Sequence, residues 1–226
     1  MDKLTLLSHI NLFDELSMKD LKLIDNSSTM TSVKKGTQIL LPEQPLDVLF
    51  FLKKGQVRLY RMTPQGKQFT TDILVDGNVF GETESFMLTD QQTYAEAMID
   101  CYLCTMDKEK FENFIRTTPD VSIKLIQILT NRLKDTYDLS EKIALGDVRY
   151  RTIFLLLKMS EKSGQREKEW QSIKMKITHE DIATMVGSSR ESISLLMSKL
   201  KKEGLLKKTI FGLSIKADEM KKMLTE

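Results

Sequence analysis

Residues 177–204 read ITHEDIATMVGSSRESISLLMSKLKKEG and contain two stretches with the spacing of short amphipathic helices, one on each side of VGSS. Thr178 and Ser188 each precede a polar turn with a carboxylate three residues later, which satisfies the free backbone N–H groups at a helix start. Gly187 can adopt the left-handed conformation that ends the first helix. The stretch therefore predicts a helix-turn-helix.

The second of these helices has one apolar face and one polar face. Ile193, Leu196 and Leu200 recur at helical spacing and predict the face that packs against the first helix. The first turn carries Arg190 and Glu191, and the end of the helix is rich in lysine. This polar face favours contact with a partner outside the fold.

The charge of the chain is unevenly distributed. Residues 1–145 hold 17 Lys and Arg against 21 Asp and Glu, whereas residues 146–226 hold 17 against 11. A basic module beside an acidic one indicates contact with a polyanion, since neutralising phosphates releases counterions. An ordinary solvated surface rich in lysine is the alternative.

Length and composition predict a two-domain, soluble, cytoplasmic protein. The chain has 226 residues, no apolar run of membrane-spanning length, and no apolar signal-peptide core at its N-terminus. Cys101 and Cys104 are too few for a disulfide framework or an iron–sulfur cluster. They point to opposite faces of an extended strand, which favours core filling, with a redox pair as the alternative.

Other patterns predict the order of the domains. Residues 31–107 form short alternating runs broken by Gly and Pro, which is typical of an antiparallel β-roll. Pro119 then opens a long helix without Gly or Pro inside it. After Gly204, LLKKTIFGLSIKA predicts a hairpin, or wing, followed by a short helix. We predict a β-roll domain at 1–118, a dimerisation helix at 119–145 and a winged helix-turn-helix domain at 146–226.

The long helix carries a narrow apolar stripe, which is typical of a two-chain coiled coil. The predicted dimer interface consists of Leu125, Leu129, Leu133, Thr136 and Ile143.

The order of these motifs resembles the cyclic-AMP receptor/fumarate-nitrate regulator (CRP/FNR) superfamily of bacterial transcription factors. The similarity rests on LFDELS, FFLKKGQVRLYRMTPQGKQ, DGNVFGE, the long helix, and ITHEDIATMVGSSRESI with its wing. The resemblance implies an α+β fold with a cyclic-nucleotide-binding-like β-roll (jelly roll), a central dimerisation helix and a C-terminal winged helix-turn-helix.

In that family the second helix enters the major groove of DNA. Arg190 and Glu191 match base-reading positions, where a guanidinium donates to guanine and a carboxylate accepts from cytosine. Thr178, Ser189 and Ser192 match positions that bind phosphate. Leu195 stands where cyclic-AMP-type members carry a second arginine, so part of the usual readout is lost or replaced by an apolar contact, such as one to a thymine methyl group.

The resemblance also implies an effector pocket, but one that is altered in this chain. Gly81 and Glu82 are kept, whereas Gln91 and Gln92 stand where an arginine should neutralise a cyclic phosphate. An anion without a positive partner is costly to bury, so we predict that cyclic AMP is not the effector. The predicted pocket comprises Gly81, Glu82, Gln91, Gln92, Thr136 and Tyr137.

These observations predict a homodimeric regulator that binds a palindromic operator, with no cofactor, no metal site and no enzymatic activity. An unidentified small-molecule effector is expected to act through the β-roll, and the SGQREKEW loop is where contact with RNA polymerase is expected. Two alternatives remain open. One is a regulator of the same family that needs no ligand and is controlled by its abundance, and the other is a nucleotide-binding module whose helix-turn-helix engages a protein.

Overall fold

The computed structural model describes residues 10–13, 16–42, 44, 46–83, 88–163, 165–210 and 212–224. The chain divides into two compact units, Met1–Leu133 and Lys134–Glu226. This division falls inside the long helix, and the domain limits at 118 and 145 remain predictions.

The first unit contains eight described strands in two antiparallel sheets, which confirms the predicted β-roll. One sheet has the order β1-β8-β3-β6 and the other β2-β7-β4-β5. The described elements are α1 (Met18–Ser27), β1 (Thr29–Val33), β2 (Gln38–Leu40), β3 (Val48–Lys54), β4 (Gln56–Met62), β5 (Gln68–Val75), β6 (Val79–Glu82), β7 (Tyr94–Ala97), β8 (Cys101–Asp107), α2 (Lys108–Thr117) and the first part of α3 (Pro119–Leu145).

Two apolar clusters separate the layers of this unit. One lies between the two sheets and includes Phe50, whose ring stacks on that of Phe80 with 5.0 Å between centroids. The other lies between the first sheet and the helices and includes Phe51 and Phe111. Successive side chains of a strand point to opposite faces of the sheet, so the two faces of the first sheet contribute residues to different clusters.

The two cysteines fall on opposite sides of the first sheet. Cys101 belongs to the cluster between the sheets and Cys104 to the cluster beneath the helices, and both are buried as free thiols. Burial raises the pKa of the Cys101 thiol. The strand geometry predicted this placement, and it leaves the two sulfur atoms unable to pair with each other within one chain.

The second unit is a winged helix-turn-helix. Its elements are the last part of α3, then α4 (Val148–Ser163), β9 (Arg166–Glu167), β10 (Trp170–Ile173), α5 (His179–Val186), α6 (Arg190–Lys202), β11 (Leu206–Thr209), β12 (Gly212–Ile215) and α7 (Ala217–Lys222). The strand order β11-β12-β10-β9 joins the predicted wing to a second hairpin. The polar segment SGQREKEW includes the β9–β10 hairpin, which turns at Lys168 with a positive φ of 55°.

A packed corner joins α3 to α4. Asp147 accepts a hydrogen bond from the backbone N–H of Tyr150 at 2.8 Å, as expected of a helix cap. A Cβ atom on Gly146 would lie 2.6 Å from the ring of Tyr150, so only glycine fits.

Among the described residues, the structure has no helix with the length and apolar composition of a membrane span.

Candidate nucleic-acid interface

The start of α5 is held by a complete capping box. The backbone N–H of Asp181 donates to Thr178 Oγ1 at 3.1 Å, and the backbone N–H of Thr178 donates to the Asp181 carboxylate at 2.8 Å. The Thr178 hydroxyl also donates to that carboxylate at 2.6 Å. A phosphate contact from this hydroxyl, as predicted, therefore requires its hydrogen to leave Asp181.

The turn between the helices differs by one residue from its predicted form. Gly187 is left-handed, with φ 64° and ψ 50°, as expected. The backbone N–H of Ser188 closes α5 by donating to Ala183 O at 2.9 Å. Ser188 is thus used by the first helix, and Ser189 caps the second by accepting from the backbone N–H of Ser192 at 3.2 Å.

This shift changes the roles of the first-turn side chains. The predicted capping pair of Ser188 and Glu191 was wrong, so Glu191 is exposed on the first turn of α6. Ser189 donates its hydroxyl to Ser192 Oγ at 3.0 Å, so of these two hydroxyls Ser192 keeps its hydrogen available for an outside acceptor. Arg190 is exposed beside it.

Buried residues fix the rotation of α6 about its axis. Ile193, Met197 and Leu200 are buried and Leu196 is partly buried, so the inward face of α6 includes Met197 in addition to the predicted residues. The imidazole Nδ1 of His179 lies 2.8 Å from Ser194 Oγ and links the first helix to the second. The outward face of α6 therefore carries Glu191 and Leu195, and Leu195 is 75% exposed.

The C-terminal end of α6 is clamped to α4. The guanidinium of Arg149 reaches both carboxylate oxygens of Glu203, the C-cap residue, at 2.6 and 3.3 Å. The hydrogen bond from Arg149 holds the pKa of Glu203 below its usual range. Exposed lysines at 199, 201 and 202 follow on the last turn and make this end of the helix cationic.

The wing adds a second basic surface that sequence reasoning did not single out. Lys207 and Lys208 are exposed on β11, and the ammonium group of Lys207 lies 4.0 Å from the centroid of the Trp170 ring. Ile210, at the end of this hairpin strand, is 94% exposed. The run LLKKT carried the signal, because two exposed lysines on a strand that packs next to α6 are suited to contact with phosphates.

The first unit places the predicted effector residues Gly81 and Glu82 at the end of β6. Gly81 has φ 103°, and a Cβ atom there would lie 2.6 Å from Val48 O. Glu82 is buried, its Oε2 atom has no hydrogen-bond partner among the described residues, and burial raises the pKa of its carboxyl. The Glu82 carboxylate is therefore a buried polar group and not a solvent-exposed side chain of a turn.

Asp90 organises the segment in which an arginine was expected. Its Oδ1 atom accepts from the backbone N–H of Gln92 at 3.0 Å and from the Thr93 hydroxyl at 2.7 Å, and its Oδ2 atom pairs with Arg61. The side chains of Gln91 and Gln92 are exposed. A carboxylate of the chain itself thus takes the N–H and O–H donors of this turn.

Arg132 on α3 is a half-buried residue that hydrogen-bonds to backbone carbonyl groups near the end of β6. It donates to Leu88 O at 2.9 Å and to Val79 O, and desolvation lowers the pKa of its guanidinium. The remaining pocket candidates, Thr136 and Tyr137, are exposed residues of the second unit, and their role remains a prediction.

The predicted dimer residues of α3 differ in how far the rest of the first unit covers them. Leu125 is 5% exposed and packs with Val121 in the core of the first unit, so it has little surface to offer a partner. Leu129 and Leu133 are exposed, as are Thr136 and the neighbouring Ile126. The side chain of Ile143 lies outside the described residues.

Two family models match the chain with this architecture. The Cyclic nucleotide-binding domain model matches residues 30–118, and the Crp-like helix-turn-helix domain model matches residues 150–222. Together these matches cover most of the chain in the expected order. The chain belongs to the CRP/FNR superfamily.

Two relatives of known name each match about three quarters of the chain. The chain is 24% identical over 173 residues to the CRP-like cAMP-activated global transcriptional regulator of Mycobacterium tuberculosis, covering 76% of this chain and 77% of that protein. It is 27% identical over 176 residues to the Global nitrogen regulator of Synechocystis, with 76% and 77% covered. Because such CRP/FNR relatives are transcription regulators, the prediction that the chain is not an enzyme is confirmed.

A solved structure confirms the fold. A mutant of CooA from Carboxydothermus hydrogenoformans superposes with a TM-score of 0.76 at 22% identity and covers 89% of each chain. The α+β arrangement of a β-roll, a long helix and a winged helix-turn-helix is therefore the CRP/FNR fold.

Proposed function

We propose that the protein is a homodimeric, cytoplasmic transcription regulator that binds a palindromic DNA operator through α6. The observation that carries this proposal is the outward face of α6, which begins with exposed Arg190 and Glu191 and is held in one rotation by buried residues. A guanidinium reads guanine and a carboxylate reads cytosine by hydrogen bonds in the major groove. Ser192, Lys207 and Lys208 are suited to the flanking phosphates.

The exposed apolar residues of α3 support the homodimer. Leu129 and Leu133 lie on one side of the helix with Ile126 and Tyr137, at spacings of three and four residues that repeat along a helix face. A second copy of the same helix would cover this stripe in a symmetric contact. Two recognition helices then lie about one turn of DNA, roughly 34 Å, apart.

The β-roll is proposed to control this spacing through an effector other than cyclic AMP. Asp90 holds the turn donors at Gln92 and Thr93, and Arg61 neutralises that carboxylate rather than a ligand. The unsatisfied carboxylate oxygen of Glu82 leaves a position for a hydrogen-bond donor on a ligand. Effector binding would change the angle between the two α3 helices or the chain direction at the corner after α3.

A regulator without any ligand is the second candidate. The turn that includes Asp90 favours it, because a carboxylate of the chain already satisfies donors that an anionic ligand would need. Millimolar cyclic AMP should leave the melting temperature unchanged under both readings. A clear rise in melting temperature would overturn the proposal for this pocket.

Selection from random-sequence DNA with the full-length protein tests the DNA-binding function. We expect a two-fold symmetric consensus and an affinity that falls steeply with salt. Arg190→Ala should reduce discrimination against a changed guanine by about 5- to 150-fold, the equivalent of one bidentate base contact. The matched control is Lys202→Ala on the last turn of α6, which should weaken binding to all sequences alike. Equal weakening of all sequences by Arg190→Ala would refute base reading by that residue.

A further inference from the structure

The second turn of α6 offers one large side chain to the outside, and it is apolar. Leu195 follows Glu191 by one turn on the outward face and is 75% exposed. An exposed leucine contributes little to the stability of its own fold, because most of its surface remains in water. Its apolar surface is therefore available for contact in a complex.

Neighbouring polar groups of this turn are already engaged inside the protein. Ser194 shares a hydrogen bond of 2.8 Å with His179, and the Ser198 hydroxyl donates to Ser194 O at 2.9 Å. The Ser198 hydroxyl thus uses its hydrogen within α6, and the contact of Ser194 with His179 joins the two helices. Leu195 is left as the side chain of this turn with the most free surface.

The orientation of Leu195 is held firmly from both ends of the helix. Ser189 caps the N-terminal end, and the Arg149 clamp holds Glu203 at the C-terminal end. Between them, Ile193 and Met197 are buried on the opposite side. The helix therefore presents Leu195 in one direction, which is what a residue that determines specificity requires.

We infer that Leu195 reads a thymine through its C5 methyl group in the major groove, one helical turn beyond the bases read from the first turn. The thymine methyl is the apolar feature of the base edges in that groove, and an aliphatic side chain is its natural partner. The lysines that follow on the last turn favour a polyanion on this side of the helix. An apolar pocket of another protein would fit this cationic surface less well. The inference rests on the proposed DNA-binding function and adds a specificity determinant to it.

Replacing thymine by uracil removes only this methyl group and leaves every hydrogen bond intact. With the full-length protein and its selected operator, one thymine in each half-site should be sensitive to this change. Loss of one methyl contact corresponds to about fourfold weaker binding per half-site, or about fifteenfold for a symmetric operator. Fluorescence anisotropy with thymine and uracil versions of each position measures this ratio.

Two variants connect the methyl effect to Leu195. Leu195→Ala should bring the ratio between thymine and uracil operators close to one, and Leu195→Arg should exchange the thymine preference at that position for guanine. Lys202→Ala is the control, since it should weaken the thymine and uracil operators by the same factor. Both Leu195 variants should keep the wild-type melting temperature because the side chain is exposed.

The outcomes separate this inference from the proposed function. A consensus operator that tolerates uracil at every position, or a methyl effect that survives in Leu195→Ala, overturns the role of Leu195 and leaves the regulator standing. Binding without any consensus, at any salt concentration, overturns the sequence-specific function and the role of Leu195 with it.

Discussion

Replacing Leu133 by glutamate tests the proposed dimer contact on α3 separately from the packing of the first unit. Leu133 is 53% exposed and Ile126 is 63% exposed on the same side of the helix. Complete burial of such a side chain contributes about 1.5 to 3 kcal/mol, so covering roughly half of it contributes about 1 kcal/mol. In a symmetric dimer the loss occurs twice, about 2 kcal/mol, which weakens association about thirtyfold.

The paired variant Ile126→Glu with Leu133→Glu should approach a thousandfold loss, on the order of 4 kcal/mol. The facing carboxylates also repel each other, which acts in the same direction. Sedimentation velocity over a concentration series measures the dissociation constant. Thermal unfolding should show little change in the stability of the monomer, because these side chains are exposed.

Leu125→Ala is the matched control, because this leucine of α3 is buried in the core of the first unit. It should lower the free energy of unfolding by about 2 to 5 kcal/mol through the cavity it leaves, without weakening association of folded chains. A Leu133→Glu protein with the wild-type dissociation constant would refute the assignment of this stripe. So would a Leu125→Ala protein that dissociates with unchanged stability.

Three other substitutions test the structure locally. Gly55→Ala should lower the free energy of unfolding by about 1 to 3 kcal/mol in urea denaturation, because its Cβ would lie 2.4 Å from Cys101 Sγ at a φ of 131°; an unchanged midpoint would contradict this packing. Asp181→Ala should cost about 1 kcal/mol, since the capping box with Thr178 is lost; equal melting temperatures would argue against the cap. Burial raises the pKa of Glu82 above the ordinary carboxyl value of 4.5, so ionisation of this group destabilises the folded state of the wild type as pH rises. The Glu82→Gln variant cannot ionise there, and its melting temperature should therefore rise relative to that of the wild type above pH 4.5. Melting temperatures of the two proteins that change in parallel with pH would refute this effect of burial.

The helix-turn-helix was predictable because its signals are local. A capping box needs only residues three apart, and a left-handed glycine needs only its own backbone. Thr178, Asp181 and Gly187 therefore behave as their spacing predicts. The cap of α6 moved to Ser189 because Ser188 closes the preceding helix, a use that depends on how the turn folds.

Helical periodicity predicted the long α3 helix, but it could not show which of its leucines are buried by the rest of the first unit. Leu125 and Leu129 are both apolar and four residues apart, yet one is buried in the first unit and the other is exposed. Residues four apart lie on the same stripe of a helix, so their spacing does not separate a core position from an exposed one. The tertiary packing of the sheets decides which face is already covered.

The order of the segments, the antiparallel strands and the opposite placement of Cys101 and Cys104 followed from the sequence alone, because alternation and turn chemistry act between near neighbours. The tie between His179 and Ser194, the clamp from Arg149 to Glu203 and the ion pair of Arg61 with Asp90 were decided by the tertiary structure. Ser194 and Glu203 lie fifteen and fifty-four residues from their partners, and no spacing rule reaches that far. Side chains that are far apart in the sequence come into contact only after the intervening chain has folded. These contacts determine which polar groups of the surface are still available to bind a partner.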